Sequence, residues 1–160
     1  MSDNRRYWLF KSEPDVFSFG DLQAAPAQTT GWEGVRNYQV RNYLRDQCKL
    51  GDQVLFYHSR IEPIGVVGIA EVVEEATPDP SQFDATSEYF DPKARVEAPP
   101  WLQVRIRAVR ALARVVTLAE LKATPGLEKM GVVQRGSRLS ITPVTPEEWS
   151  IVLSLSERPA

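Results

Sequence analysis

The chain contains one cysteine, Cys48, and one histidine, His58, in 160 residues. A lone cysteine excludes an internal disulfide, and a lone histidine excludes a His-rich metal cage. Neither a metal nor a cofactor is expected. Phosphate-cradling Walker loops, dinucleotide-type glycine fingerprints, paired cysteines and the His-Glu-x-x-His pattern are all missing as well. No apolar window reaches membrane-spanning length, and "MSDNRRYWLF" at the start has no apolar run long enough for a signal peptide. A membrane partner is not expected, and the expected location is the cytoplasm, or the nucleus in a cell that has one. Excess positive charge is lacking too: a net charge of −2 argues against a generic nucleic-acid coat.

What is present is an ordinary globular composition, with 42% hydrophobic and 25% charged residues. The length suits one domain spanning 1–160, with a core over about 7–153, that buries roughly two thirds of its unfolded surface. The charge is segregated. Glu71 to Asp91 holds seven acidic residues and no basic one, Arg36 to Lys49 holds four basic residues against Asp46, and Lys93 to Arg114 holds six against Glu97. Such blocks either balance one another as solvated surface or leave one basic face.

"RYWLFK" reads as a first strand that ends at the turn "SEP". Ser18 and Asp21 can cap a short helix. Asn37 to Cys48 lacks Gly and Pro and places Val40, Tyr43, Leu44 and Cys48 at helical spacing, with Gly51 closing that helix. "DQVLFYHS" and "IGVVGIAEVVEE" are strands whose nearly continuous apolar runs suit coverage on both faces, joined by a hairpin around Pro63 and Gly65. Ala76 to Pro100 is a long insert with five prolines, and inserts of that length are often functional. "WLQVRIRAV" alternates as a half-buried strand, and a further strand is expected around "ALARVV". Thr117 with Glu120, and Thr145-Pro146 with Glu148, read as capping boxes of two more helices. The expected fold class is α+β: a mixed, mostly antiparallel barrel or bent sheet of five or six strands with short helices around it.

Catalytic arrangements are sparse. Ser59 adjoins His58 in a strand, where neighbouring side chains point to opposite faces, so the two cannot form a nucleophile and its base. Cys48 falls on the apolar side of its helix. Glu13 and Asp91 are a conceivable carboxylate pair that nothing in the sequence brings together. Four short motifs remain: "KSEP", "GWEGVRNYQVRN", "FYHS" and "SEYFDPK". Each combines aromatics with small donors and acceptors, and a flat heterocycle needs aromatic faces and a few edge-reading polar groups. Trp32, between Gly31 and Gly34, is either a loop anchor or one wall of such a site. Tyr89 or Phe90 would be the other wall. Ser12, Glu13, Asn37, Ser59 and Asp91 would read the edge, with Arg36, Arg41 and Arg45 on a phosphate backbone.

In order and spacing, "YWLFKSEP", "GWEGVRNYQVRN", "FYHS", "GVVGIAEV", "SEYFDPK" and "RLSITPVTPEEW" resemble the EVE domain family of the PUA-like superfamily, which also holds the YTH domains. The resemblance covers about Tyr7 to Leu153. It implies a PUA-like pseudo-barrel and a non-enzymatic reader of a modified nucleobase in DNA or RNA, a modified cytosine in DNA first among them. Its partner would be a nucleic acid presenting that base flipped out or single-stranded, because a base within a duplex is inaccessible. On this resemblance Trp32 is one cage wall, Tyr89 or Phe90 is the other, and Ser12, Glu13, Asn37 and Ser59 occupy polar motif positions. Two alternatives stand beside it. One is an enzyme acting on a nucleic acid or nucleotide with Glu13 as acid or base; the other is a small-molecule or protein-interaction module using the same pocket.

Overall fold

The structure, a computed structural model, describes residues 5–136 and 138–159. The first four residues of the N-terminal stretch, and both limits of the expected 1–160 span, lie outside it. The elements in chain order are β1 (Tyr7–Ser12), α1 (Phe19–Ala24), β2 (Thr29–Gly31), α2 (Tyr38–Asp46), β3 (Gln53–His58), β4 (Gly65–Pro78), β5 (Leu102–Thr117), α3 (Leu118–Ala123), β6 (Ile141–Val144) and α4 (Pro146–Ser156). The strands form one six-stranded sheet in the order β2-β5-β4-β3-β1-β6. Only β1 and β3 pair in parallel; the other neighbours are antiparallel. The fold is α+β with a mostly antiparallel sheet, as expected. The sheet does not close, and β2 and β6 are its edges.

Alternation along the central strands feeds two cores. Trp8 and Phe10 of β1, and Val54 and Phe56 of β3, face one side. Leu9, Leu55 and Tyr57 face the other. The nearly continuous apolar runs therefore mark strands covered on both faces. Phe19 and Leu22 of α1, Val40 and Leu44 of α2, and Trp32 complete the first core. Leu121 of α3, Trp149 and Val152 of α4, and the loop residues Leu127 and Met130 complete the second.

The further strand expected at "ALARVV" is not separate: Leu102 to Thr117 is one strand of 16 residues. The alternation breaks because its pairing with β4 shifts between Ile69 and Ala70 and again between Val66 and Gly68. Bulges of this kind bend a strand and change which face its side chains meet. Val104, Ile106 and Ala108 thus enter the first core, while Leu112 and Val116 enter the second.

Local capping explains the helices. Ser18 with Asp21, and Thr145 with Glu148, form complete capping boxes. At α3 only half of the expected box exists. The Thr117 hydroxyl accepts the Glu120 N–H, but the Glu120 carboxylate turns to Arg114, 2.7 Å away on both oxygens. Gly51 does not close α2, which ends at Asp46 with Gln47 as its C-cap. Gly51 instead has φ of +89° in the turn entering β3, and its N–H donates to the Val72 carbonyl.

Candidate nucleobase cavity

The parallel strands β1 and β3 end side by side at Ser12 and His58, and their ends are joined by a hydrogen bond from the Ser59 N–H to the Ser12 carbonyl. A cavity of about 740 Å³ opens beyond these ends. Lys11, Ser12, Glu13, Val16 and Phe17 line it from the end of β1 onward, and Ser59 and Arg60 line it from the end of β3. Thr30 to Val35 forms another side, Glu88 and Tyr89 come from the long insert, and Arg138 and Ser140 come from the approach to β6. Its volume is in the range of ligand sites and exceeds what one nucleobase occupies.

Trp32 is an anchor and a wall at once. Its backbone N–H donates to the Val104 carbonyl, and its ring packs 5.2 Å from Phe10, 5.5 Å from Phe56 and 6.4 Å from Phe17 between centroids. Only 9% of it is exposed, and that part faces the cavity. The two flanking glycines are not equally constrained: Gly34 is required by its backbone conformation, whereas Gly31 abuts only the end of a flexible side chain. A Cβ on Gly31 would stand 2.6 Å from the Gln103 side chain. Gly34 has φ of +88°, and a Cβ there would stand 2.6 Å from the Tyr89 ring.

Tyr89 lines the cavity, whereas Phe90 is not among its lining residues and is 40% exposed. Tyr89 is held by a device whose parts are distant in sequence. The Arg36 guanidinium donates to the Tyr89 carbonyl from Nε (3.2 Å) and Nη2 (2.6 Å) and lies 5.7 Å from the ring centroid. It also donates to Asp79 (3.1 Å) and to the Ser81 hydroxyl (3.2 Å). Asp79 is fully buried and accepts the Gly34 N–H at 2.8 Å as well as the Ser81 N–H and hydroxyl. One buried carboxylate therefore ties the Trp32 loop to the Tyr89 insert, with its charge met by Arg36.

The expected edge-reading residues divide. Ser12, Glu13 and Ser59 reach the cavity, although the Ser12 hydroxyl donates to the Phe17 carbonyl (2.6 Å) and Glu13 pairs with Arg60 (2.5 Å). Asn37 does not line it: its side-chain oxygen accepts the Val40 N–H at 3.0 Å and caps α2. Asp91 is also elsewhere, accepting from the Trp101 indole (2.8 Å) and the Lys93 N–H (3.0 Å), and the indole bond in particular holds its carboxyl below the usual range. Ser59 rather than His58 faces the cavity, because the His58 Nε2 accepts the Phe19 N–H; burial holds the imidazole pKa down.

The three arginines expected on a phosphate backbone are engaged within the protein. Arg36 directly precedes Asn37, the N-cap of α2. Arg41 donates to the Pro100 carbonyl at 2.7 Å and lies over Tyr38, which stacks on Trp101. Arg45 pairs with its neighbour Asp46. The acidic segment meets the basic ones in the same way, through Arg36–Asp79, Arg107–Glu71 and Lys49–Glu75.

Sequence reasoning missed Lys11, Glu33, Arg60, Glu88 and Arg138 at the cavity, and Asp79 and Ser81 behind it. "DPS" is a legible Asp turn, since Asp79 caps the one-turn helix Pro80–Phe83, but its buried bond to Gly34 has no local signal. Burial lowers the Lys11 pKa, and burial followed by the Asp79 charge raises that of Glu33. The site thus offers aromatic walls, carboxylates that can accept from an exocyclic amine, and cations at its rim. Among the described residues no cluster of His, Cys, Asp or Glu fits a metal ion, and no helix is long and apolar enough to cross a membrane.

The EVE domain model matches residues 6–155. Thymocyte nuclear protein 1 of Homo sapiens is 44% identical over 168 residues, covering 95% of this chain and 74% of that protein. A solved Pseudomonas syringae protein is 46% identical with a TM-score of 0.89, over 94% of this chain and 99% of that one. The crystal structure of human THYN1 in complex with 5-methylcytosine containing DNA has a TM-score of 0.90 at 44% identity, over 97% of this chain and 99% of that one. With its sheet, its cavity at the strand ends and these matches over nearly its full length, the chain belongs to the EVE domain family.

Proposed function

We propose that this protein is a non-enzymatic DNA-binding module that reads a modified cytosine, held flipped out or single-stranded in the cavity between Trp32 and Tyr89. The observation that carries the reading is the braced pair of aromatics: Trp32 fixed in the core and Tyr89 fixed by Arg36 and Asp79, on one cavity at the strand ends. The solved relative in complex with 5-methylcytosine containing DNA supports the ligand class. Stacking on such rings contributes about 1–3 kcal/mol per base. A methyl group adds only about 0.8 kcal/mol on burial, so discrimination depends on a rigid slot. Rigid walls are what the Asp79 device supplies.

A catalytic reading finds less support. Cys48 is fully buried and its thiol pKa is pushed far up by burial, while the His58 Nε2 is occupied by a backbone N–H. Glu13, the conceivable acid or base, is paired with Arg60. We place the reader in the cytoplasm, or in the nucleus where there is one.

The test is tryptophan fluorescence titrated with single-stranded DNA and RNA oligonucleotides carrying 5-methylcytosine, 5-hydroxymethylcytosine, N6-methyladenine or no modification. Tighter binding of a cytosine-modified DNA is the expected result. Equal affinity for all oligonucleotides would refute the modified-base reading.

A further inference from the structure

A base pocket alone does not hold a strand, because phosphate contacts supply much of the affinity and set the register. Arg36 and Arg41 are engaged internally, and Arg45 is paired with Asp46 on the surface away from the cavity, which leaves that role to other cations. A second cavity of about 460 Å³ adjoins the first and shares Arg138 with it. It runs between Tyr43 of α2, the loop before β6, and Thr142 and Pro143 of β6. Its charged lining residues are Lys129, Arg135 and Arg138, with no acidic residue among them. All three are exposed, and among the described residues no carboxylate forms an ion pair with them.

The part of the loop from Glu128 to Gln134, which carries Lys129 and leads into Arg135, is tied to the fold. The Gln134 amide donates to the Glu128 carbonyl (2.6 Å) and the Met130 carbonyl (3.2 Å). Met130 and Val132 are buried in the second core. Gly131 lies so close to β6 that a Cβ would stand 2.8 Å from the Thr142 methyl. Three exposed cations along one groove, with no carboxylate lining it, attract a polyanion more than a neutral ligand.

We propose that this groove is the phosphodiester track of the protein: it carries the backbone flanking the base in the first cavity, and Arg138 stands where the strand passes from one to the other. The proposal rests on the base-reading function above. Tyr43 gives the groove an aromatic side against which a flanking sugar or base can lie.

The test uses the full chain with Lys129→Ala and Arg135→Ala combined, and Arg45→Ala as control. Affinity for an oligonucleotide with one 5-methylcytosine, and for its unmodified counterpart, is measured from 50 to 200 mM salt. Each phosphate contact on a single strand contributes about 0.7 to the slope of log affinity against log salt, so the double variant should lose about 1.4. Its preference for the modified base should persist, and Arg45→Ala should match wild type in slope. A double variant with the wild-type slope would overturn the track. A reduced slope without modified-base preference in any protein would refute the base reading while supporting the track. Absence of DNA binding in the wild type would overturn both.

Discussion

The two faces of the sheet bury comparable sets of apolar side chains to different ends. On the face closed by α3 and α4, Leu121, Leu127, Met130, Trp149 and Val152 pack against the strands and serve stability. On the face closed by α1 and α2, the aromatics Phe10, Phe56 and Trp32 form a contiguous ring lattice whose last member borders the cavity. Packing that is needed to fold is thereby also the rigid floor of the site. In the proposed reader, a wall built from the core would favour discrimination over adaptability.

The largest expected effect separates these two roles. Leu127→Ala should cost about 2–5 kcal/mol by leaving a cavity in the second core, and Trp32→Ala about 3–5 kcal/mol in the first. Chemical denaturation measures both. Only Trp32→Ala should also abolish oligonucleotide binding under conditions where the variant is folded; equal loss of binding in the two would erase the distinction between the faces. The low tolerance expected at Trp32 makes it a poor probe of binding by itself, and Tyr89, whose ring closes the site from the insert, a better one.

A smaller effect sharpens the comparison within the first face. Asn37→Ala removes the α2 cap and should cost about 1 kcal/mol of stability. Its affinity for any oligonucleotide should equal the wild-type value, because Asn37 caps a helix and does not line the cavity. Weakened binding at unchanged stability would restore Asn37 as a base-contacting residue.

What was legible in the sequence was local. Thr145 with Glu148 and Ser18 with Asp21 declare their helices within four residues, and the apolar runs of β3 and β4 declare coverage on both faces. Trp32 between two glycines marked a constrained loop at the cavity. What stayed hidden depends on partners far along the chain. Arg36 looked like a backbone-binding cation because Asp79 and Tyr89 lie 43 and 53 residues away. Tyr89 and Phe90 are equivalent in the sequence motif; in the fold Tyr89 lies over Gly34 and lines the cavity, and Phe90 does not line it. The continuity of β5 was masked by bulges that move its buried face from one core to the other. Arg138 belongs to the motif "RLSITPVTPEEW", whose local pattern carries a helix cap and no signal for a place at the cavity.

The central claim, that the modified base lies against Tyr89 and Trp32, is tested most directly by measuring 5-methylcytosine and cytosine oligonucleotides against wild type and Tyr89→Ala in one double-difference experiment. The account predicts that Tyr89→Ala weakens binding by the roughly 1–3 kcal/mol of one stacked base and removes most of the preference for the methylated strand. The same preference in both proteins would contradict it, and would place the base elsewhere.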